Sequence, residues 1–222
     1  MTLNAAEEET IEAIKKWWDE NGKQLMVAVI LVVGGYGGWS LWQNSESEAS
    51  EIASDLYEEI LELSIAEAGE SPSQDDRNEI VRIATELMGS HSDSVYAQYS
   101  ALFAAQQHVI DGDLDSAESA LSWVIENPQT GIFSGEDQGL VLTVTLRLAR
   151  IVLSKGEAER ALGLVNNVIP GPFEAGYSEL RGDIYSALGR NVDARESYLA
   201  AQQAGSASEI LQLKLSKLPN DN

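Results

Sequence analysis

The chain offers few side chains that could carry out covalent chemistry. It has no cysteine and only two histidines, His91 and His108, and these are not part of an HExxH motif. Catalysis by a thiolate, disulfide bonds and cysteine-based zinc sites are therefore excluded. No glycine-rich phosphate loop of the Walker or Rossmann type is present either.

The many carboxylates do not form a recognisable catalytic arrangement. The stretch DGDLD at 111–115 resembles the start of a calcium loop, but Ser122 stands at the twelfth position, where such a loop has glutamate. We interpret it as a turn with a helix N-cap. Adjacent acids such as Asp75 and Asp76 are typical of helix starts and solvated faces. The sequence predicts no enzyme, metal or cofactor, and a hydrolase would need a nucleophile–base pair that is not found.

The net charge limits the possible partners. The chain carries 36 acidic and 14 basic residues, a net charge of −22, and residues 43–222 hold 30 of the acids and 11 of the bases. Such a surface repels phosphate backbones and anionic lipid headgroups. We expect no nucleic-acid partner, and we expect residues 43–222 to stand off a membrane surface. Simple solubility, or adaptation to a salty habitat, would explain the acidity equally well.

One stretch, QLMVAVILVVGGYGGWSLW at 24–42, is long and apolar enough to cross a membrane. Leu25–Trp42 contains 18 uncharged residues, which make a helix of about 27 Å, close to the thickness of a bilayer core. Tryptophans at both ends are typical of the membrane interface. We predict a transmembrane signal anchor. A weak small-residue pattern near Ser47 and Ala49 leaves a cleaved signal peptide as the alternative.

Basic residues predict the orientation of this span. Lys15, Lys16 and Lys23 precede it, and no further basic residue occurs before Arg77. The positive-inside rule places 1–23 in the cytoplasm and the rest outside it. In a bacterium the protein would be a single-pass inner-membrane protein with a periplasmic C-terminal domain.

Within the span, Gly34 and Gly38 have the GxxxG spacing. Both lie on one face of a helix, where their small size lets another helix approach closely. They are our candidates for packing between membrane helices, although glycine is common in such helices in any case.

The segment 43–90 predicts a juxtamembrane helical region. It contains an apolar stripe at helical spacing, formed by Ala49, Ile52, Ala53, Leu56, Ile60 and Leu63. Its expected partner is the following helix, whose apolar positions are Ile80, Ile83, Ala84 and Leu87.

Residues 91–222 contain three stretches with the same punctuation, a glycine five residues before an alanine. The three pairs are Gly112 and Ala117, Gly156 and Ala161, and Gly189 and Ala194. Each pair predicts one helix ending at the glycine and a second crossing it at the alanine. Because the glycines are 44 and 33 residues apart, the stretches resemble degenerate tetratricopeptide repeats of about 34 residues.

Further positions support this register. The last copy has Gly182, Tyr185, Tyr198 and Ala201, the first has Ala105, Leu121 and Pro128, and the second has Ala149, Val165 and Pro170. LVLTVTL at 140–146 could form a strand by its β-branching, but the register favours a helix. Residues around Ile210–Leu218 predict a helix that caps the last repeat. The expected fold is all-α: a transmembrane helix followed by a tetratricopeptide-like α-solenoid.

Several short stretches, in order along the chain, carry a resemblance to a known family. They are ENGKQL at 20–25, GGWSLW at 37–42, LRLAR at 146–150, LRGD at 180–183, GRNVDARESY at 189–198 and LQLKLSKL at 211–218. Together they resemble the YfgM-type ancillary subunits of the SecYEG translocon. The resemblance implies a translocon accessory with a periplasmic repeat domain, which accompanies the PpiD-like chaperone and helps exported, still unfolded polypeptides.

Repeat solenoids usually bind partners with the concave face formed by their first helices. The repeat register predicts these groove residues: Tyr99, Leu102, Gln106, Val109, Leu146, Arg150, Leu153, Glu179 and Asp183. The alternative is that several of them are buried beneath the juxtamembrane helix. At the level of function, the alternative is a membrane-anchored scaffold for another envelope complex, or a stress-response regulator.

Overall fold

The computed structural model describes residues 49–65, 72–128 and 137–219, and its regular elements there are all helical. Helix α1 covers 49–64. The others are α2 (Gln74–Ser90), α3 (Val95–Ile110), α4 (Leu114–Glu126), α5 (Gln138–Ser154), α6 (Ala158–Asn166), α7 (Glu174–Ala187), α8 (Asn191–Gln203) and α9 (Glu209–Lys217), with a short 3-10 turn at Gly171–Phe173. The prediction of an all-α fold is confirmed for this part of the chain, and the stretch LVLTVTL is helical.

Most helices begin at a residue whose side chain accepts a hydrogen bond from the first turn. Ser73 and Asp76 form a capping box at the start of α2, and Ser94 caps α3. Asp113, from the stretch DGDLD, accepts a hydrogen bond from the backbone N–H of Ser116 at 3.1 Å. These caps satisfy N–H groups that have no partner within the helix. The interpretation of DGDLD as a capped turn is therefore confirmed.

The three predicted turn glycines all adopt positive φ, with values of 79° at Gly112, 85° at Gly156 and 72° at Gly189. At the first of them, the N–H of Asp113 donates to the carbonyl of His108 at 2.8 Å, and that of Gly112 to the carbonyl of Val109 at 3.1 Å. This is a Schellman ending, which glycine adopts at low cost. Gly205 ends α8 in the same way with φ of 102°, a fourth copy that the sequence pattern did not identify.

The alanines that follow these turns lie where two helices cross. Ala117, Ala161 and Ala194 are all fully buried, so the small side chain lets the helices of each hairpin approach closely. A continuous apolar core extends from Ala53 on α1 to Ile184 on α7. A smaller cluster beneath α9 contains Ala194, Tyr198, Ala201, Leu211 and Leu218. On α9 itself Ile210 and Leu213 are exposed, so only one face of this helix covers the last repeat.

The predicted stripe on α1 is only partly correct. Ala53 and Ile60 are fully buried, but Ile52 is 46% exposed and Ala49 is also exposed. The inward face instead includes Tyr57, whose ring lies 5.4 Å from Tyr96, measured between ring centroids. The same ring contacts two more aromatic rings of α3, those of Tyr99 and Phe103. The aromatic contacts of α1 are thus made with α3. On α2, the predicted core positions Ile80, Ile83, Ala84 and Leu87 are all fully buried.

The chain divides into two compact units, Met1–Glu51 and Ile52–Asn222. The predicted span at 24–42, with Gly34 and Gly38, and the segment 1–23 lie outside the described residues. Within the described ranges, no helix combines the length and apolar character needed to cross a bilayer. The segment boundaries at 23, 42 and 90 stay a prediction.

Candidate binding groove

A groove of about 410 Å³ lies between α3 and α5. Helix α4 packs against both of these helices, and its Leu121, only 1% exposed, forms the floor. Helices α3 and α4 form one hairpin, and α5 begins the next. Because α3 and α5 stand on either side of α4, a groove is left between them. Its lining residues are Leu102, Ala105, Gln106, Val109, Ile110, Leu121, Arg147, Arg150 and Ile151.

Four of the nine predicted groove residues line this groove. Leu102, Gln106 and Val109 come from α3, and Arg150 comes from α5. Arg147, which the sequence reasoning missed, lies one helical turn before Arg150 on the same face of α5. The spacing of three residues could have identified it, since residues three apart share a helix face.

Three other predicted residues are placed in the protein interior or under α1. The ring of Tyr99 lies 6.5 Å from that of Tyr57, so α1 covers it. Leu146 is 9% exposed, and a Cβ added at Gly176 of α7 would stand 3.3 Å from its Cδ2. Leu153 is half-buried against the main core.

The last two predicted residues bind another part of the same chain. The Lys214 ammonium on α9 donates to Glu179 and Asp183 at 2.8 Å each, and the Tyr198 hydroxyl donates to Asp183 at 2.9 Å. Burial alone would lower the pKa of Lys214, but the hydrogen bonds to the two carboxylates and the attraction of their charges together raise it by more. Burial and the bond to Asp183 also raise the pKa of Tyr198. These carboxylates therefore fasten the capping helix.

The two arginines of the groove differ from the other arginines of the described ranges. Arg147 and Arg150 are both exposed, and neither guanidinium has a hydrogen-bond or ion-pair partner there. The others bind carboxylates or, for Arg195, the backbone carbonyls of Leu218 and Pro219. The carboxylate-bound arginines are Arg77, Arg82, Arg160, Arg181 and Arg190. The groove thus combines apolar walls with two positive charges that no described side chain neutralises.

No group of three or more histidine or carboxylate side chains in the described ranges could hold a metal ion. The one fully buried side-chain nitrogen or oxygen without a partner in those ranges, the amide oxygen of Gln107, belongs to a residue that does not line the groove.

Paired helices with glycine turns, whose first helices form the walls of an open groove, define a helical-hairpin repeat protein, a class that binds other polypeptides. A family model described as tetratricopeptide repeat-like domain matches residues 15–220. The chain belongs to this family and, within it, to the ancillary SecYEG translocon subunits, which confirms the resemblance found in the sequence.

The relatives that show this membership align along nearly their whole length. A protein of Haemophilus influenzae is 32% identical over 98% of this chain and 100% of its own length. One of Escherichia coli K12 is 27% identical over 98% of this chain and 99% of its own. One of Neisseria gonorrhoeae is 25% identical over 98% of this chain and 100% of its own length. All three are named ancillary SecYEG translocon subunit. No solved structure is significantly similar to the chain.

Proposed function

We propose that this protein is an accessory subunit of the Sec translocon that assists exported polypeptides without catalysing a reaction. The observation that carries the proposal is the end-to-end alignment with proteins named for association with SecYEG. An alignment over 98% of the chain spans the apolar segment as well as the repeats, so it supports the same organisation in all of these proteins.

The proposed location is the bacterial inner membrane. Residues 24–42 cross it once, 1–23 lie in the cytoplasm, and 43–222 lie in the periplasm. The support is the uncharged length of Leu25–Trp42 and the three lysines that precede it. The net acidity of the periplasmic part keeps it away from anionic headgroups.

The proposed role of residues 91–222 is to bind partners. The groove residues Leu102, Gln106, Val109 and Arg150 offer apolar and polar contacts on one open surface, which is the surface that repeat solenoids use. The proposed partners are the translocon, a PpiD-like periplasmic chaperone and unfolded exported chains. The capping helix α9 closes the solenoid and engages Glu179 and Asp183, so we place no partner at those two residues.

The test is purification of the tagged full-length chain from membranes in mild detergent, followed by mass spectrometry of what accompanies it. We expect translocon subunits in amounts well above those recovered with an unrelated single-pass inner-membrane protein of the same orientation, tagged and expressed at the same level. Reproducible absence of the translocon would overturn the proposal. Recovery of another envelope complex instead would favour the scaffold or stress-regulator hypothesis.

A further inference from the structure

We infer that the groove between α3 and α5 binds a polypeptide segment of another protein in which side-chain carboxylates stand beside apolar residues. This deepens the proposed function and rests on it, since it names the kind of segment that the repeat domain binds. Three properties of the groove carry the inference: its shape, its apolar walls and its two arginines, which no described residue pairs with.

The shape suits a segment that lies along the groove. The volume of about 410 Å³ falls within the range of about 300–1,000 Å³ typical of ligand pockets, so it holds a few side chains. The α3 wall extends from Leu102 to Ile110, which is about 12 Å along the helix axis at about 1.5 Å per residue. A passing segment can therefore place more than one side chain between the helices.

The apolar walls provide the first part of the binding free energy. Val109 and Ile110, at the end of α3, are 45% and 44% exposed, which is unusual for two adjacent large apolar side chains. Ile151 on the opposite wall and Leu121 on the floor are themselves buried, so most of the accessible apolar surface of the groove belongs to the α3 wall. Apolar side chains placed there would be removed from water at about 25 cal/mol per Å² of buried area.

The two arginines decide which apolar segments bind. A guanidinium forms paired hydrogen bonds with a carboxylate. Among the residues that the structure describes, Arg147 and Arg150 have no ion pair that a partner would need to displace. The other arginines of the described ranges already have protein partners, as described above. The chain has a net charge of −22, yet this groove holds two cations that no described side chain neutralises, and they are therefore complementary to carboxylates that come from outside.

The overall acidity sharpens this argument. At long range the chain repels an acidic segment, but at physiological salt this repulsion is screened beyond about 8 Å. Preference for an acidic segment must then come from contacts within the groove. A general electrostatic attraction would give the opposite preference, for basic segments.

The experiment uses the full-length chain in lipid nanodiscs and three short fluorescein-labelled peptides with amidated C-termini. In the first peptide, leucine and glutamate residues alternate, with serine between them. The second peptide has glutamine at every glutamate position, and the third has lysine at those positions. Fluorescence anisotropy at physiological salt gives the Kd of each. We expect the glutamate peptide to bind about tenfold more tightly than the glutamine peptide, as two exposed ion pairs of about 0.7 kcal/mol each would give. The lysine peptide should not bind the groove better than the glutamine peptide.

Two variants locate the preference. The double variant Arg147→Gln with Arg150→Gln should bind the glutamate and glutamine peptides equally. The matched control Arg82→Gln removes an exposed arginine of α2 that is paired with Glu79 and Glu86, and it should keep the preference. Val109→Ser should raise the Kd of both the glutamate and the glutamine peptide by a similar factor. Far-ultraviolet circular dichroism checks that each variant is folded.

Several results would overturn the inference. They are no binding of the glutamate peptide, equal binding of the first two peptides to the unmodified chain, or an unchanged preference in the double variant. Sedimentation that shows a dimer dependent on Arg147 and Arg150 would assign the groove to a second copy of the chain and would also overturn it. If the unmodified chain fails to recover the translocon, the proposed function fails regardless of peptide binding. Loss of peptide preference with intact translocon recovery bears on the groove alone.

Discussion

The ring of Tyr198 on α8 lies so close to Gly182 on α7 that a Cβ at residue 182 would stand 2.3 Å from its Cδ1 and Cε1. The Tyr198 hydroxyl is fixed at the same time by its hydrogen bond to Asp183. The two helices of the last hairpin can approach this closely only because residue 182 has no side chain. Glycine and tyrosine at these positions are therefore a matched pair.

Gly182→Ala should destabilise the last hairpin. The added methyl group must displace the Tyr198 ring, and overpacking of this kind costs about 1–3 kcal/mol. The measurement is urea denaturation of the compact unit Ile52–Asn222, followed by circular dichroism. The matched control is Gly163→Ala on α6, where nothing lies within 4 Å of an added Cβ. It should be neutral or stabilising by up to about 1 kcal/mol, because alanine favours helix. Equal effects of the two changes would contradict the close packing described here.

Gly156→Ala tests backbone conformation separately from packing. Nothing lies within 4 Å of a Cβ added at Gly156, but its φ is +85°. An L-residue with a side chain pays about 1–2 kcal/mol in this region, so the free energy of unfolding should fall by about that amount. Gly156→Asn should lose less, since asparagine tolerates positive φ better than alanine. If the alanine and asparagine variants have the same free energy of unfolding as the unmodified chain, the positive φ at residue 156 does not constrain this turn.

Glu118→Gln should reduce stability in a manner that depends on pH. The Glu118 carboxylate on α4 is paired with Arg160 of α6 and with Lys155 at 2.8 Å, and these two cations lower the pKa of that carboxyl. A lowered pKa in the folded state stabilises the fold above the unfolded value of about 4.3, and this stabilisation is lost as the pH falls through the folded value.

The free energy of unfolding of the unmodified unit should therefore exceed that of the Glu118→Gln variant by about 1 kcal/mol at pH 7. This difference should shrink once the pH falls below about 4.3. Urea denaturation at both pH values measures it. Glu196→Gln is the control, because Glu196 on α8 is exposed and makes no ion pair within the described ranges. A difference that stays constant down to pH 3 would show that the carboxylate charge plays no part.

The proposed orientation can be tested with a single cysteine, since the chain has none. Gln203 is exposed at the end of α8, so Gln203→Cys should leave the fold intact. In intact spheroplasts a membrane-impermeant thiol reagent should label it fully, as expected for a periplasmic residue. A cysteine at Thr2 should be labelled only after lysis. The reverse pattern would place the repeat domain in the cytoplasm.

The glycines of the span predict how the proposed subunit docks in the membrane. Gly34→Leu with Gly38→Leu should insert as well as the unmodified chain, because leucine favours insertion. It should recover less translocon, because side chains now prevent close helix packing. The measurement is a quantitative pull-down at matched expression. Equal recovery would show that the periplasmic domain makes the association.

The local features of the fold could be predicted from the sequence. Whether a residue can adopt positive φ, or is small enough to lie at a helix crossing, depends on that residue alone. This is why Gly112, Gly156 and Gly189, and the alanines five residues after them, were placed correctly.

The partners of the predicted faces were decided only by the tertiary structure. Periodicity placed Tyr99, Glu179 and Asp183 on a helix face, but Tyr57 covers the first, and Lys214 engages the other two from more than 30 residues away. Arg147 gains its place in the groove from the way α4 separates α3 from α5. The spacing of residues fixes which side chains share a face, whereas long-range packing determines which of those faces are covered and which stay open.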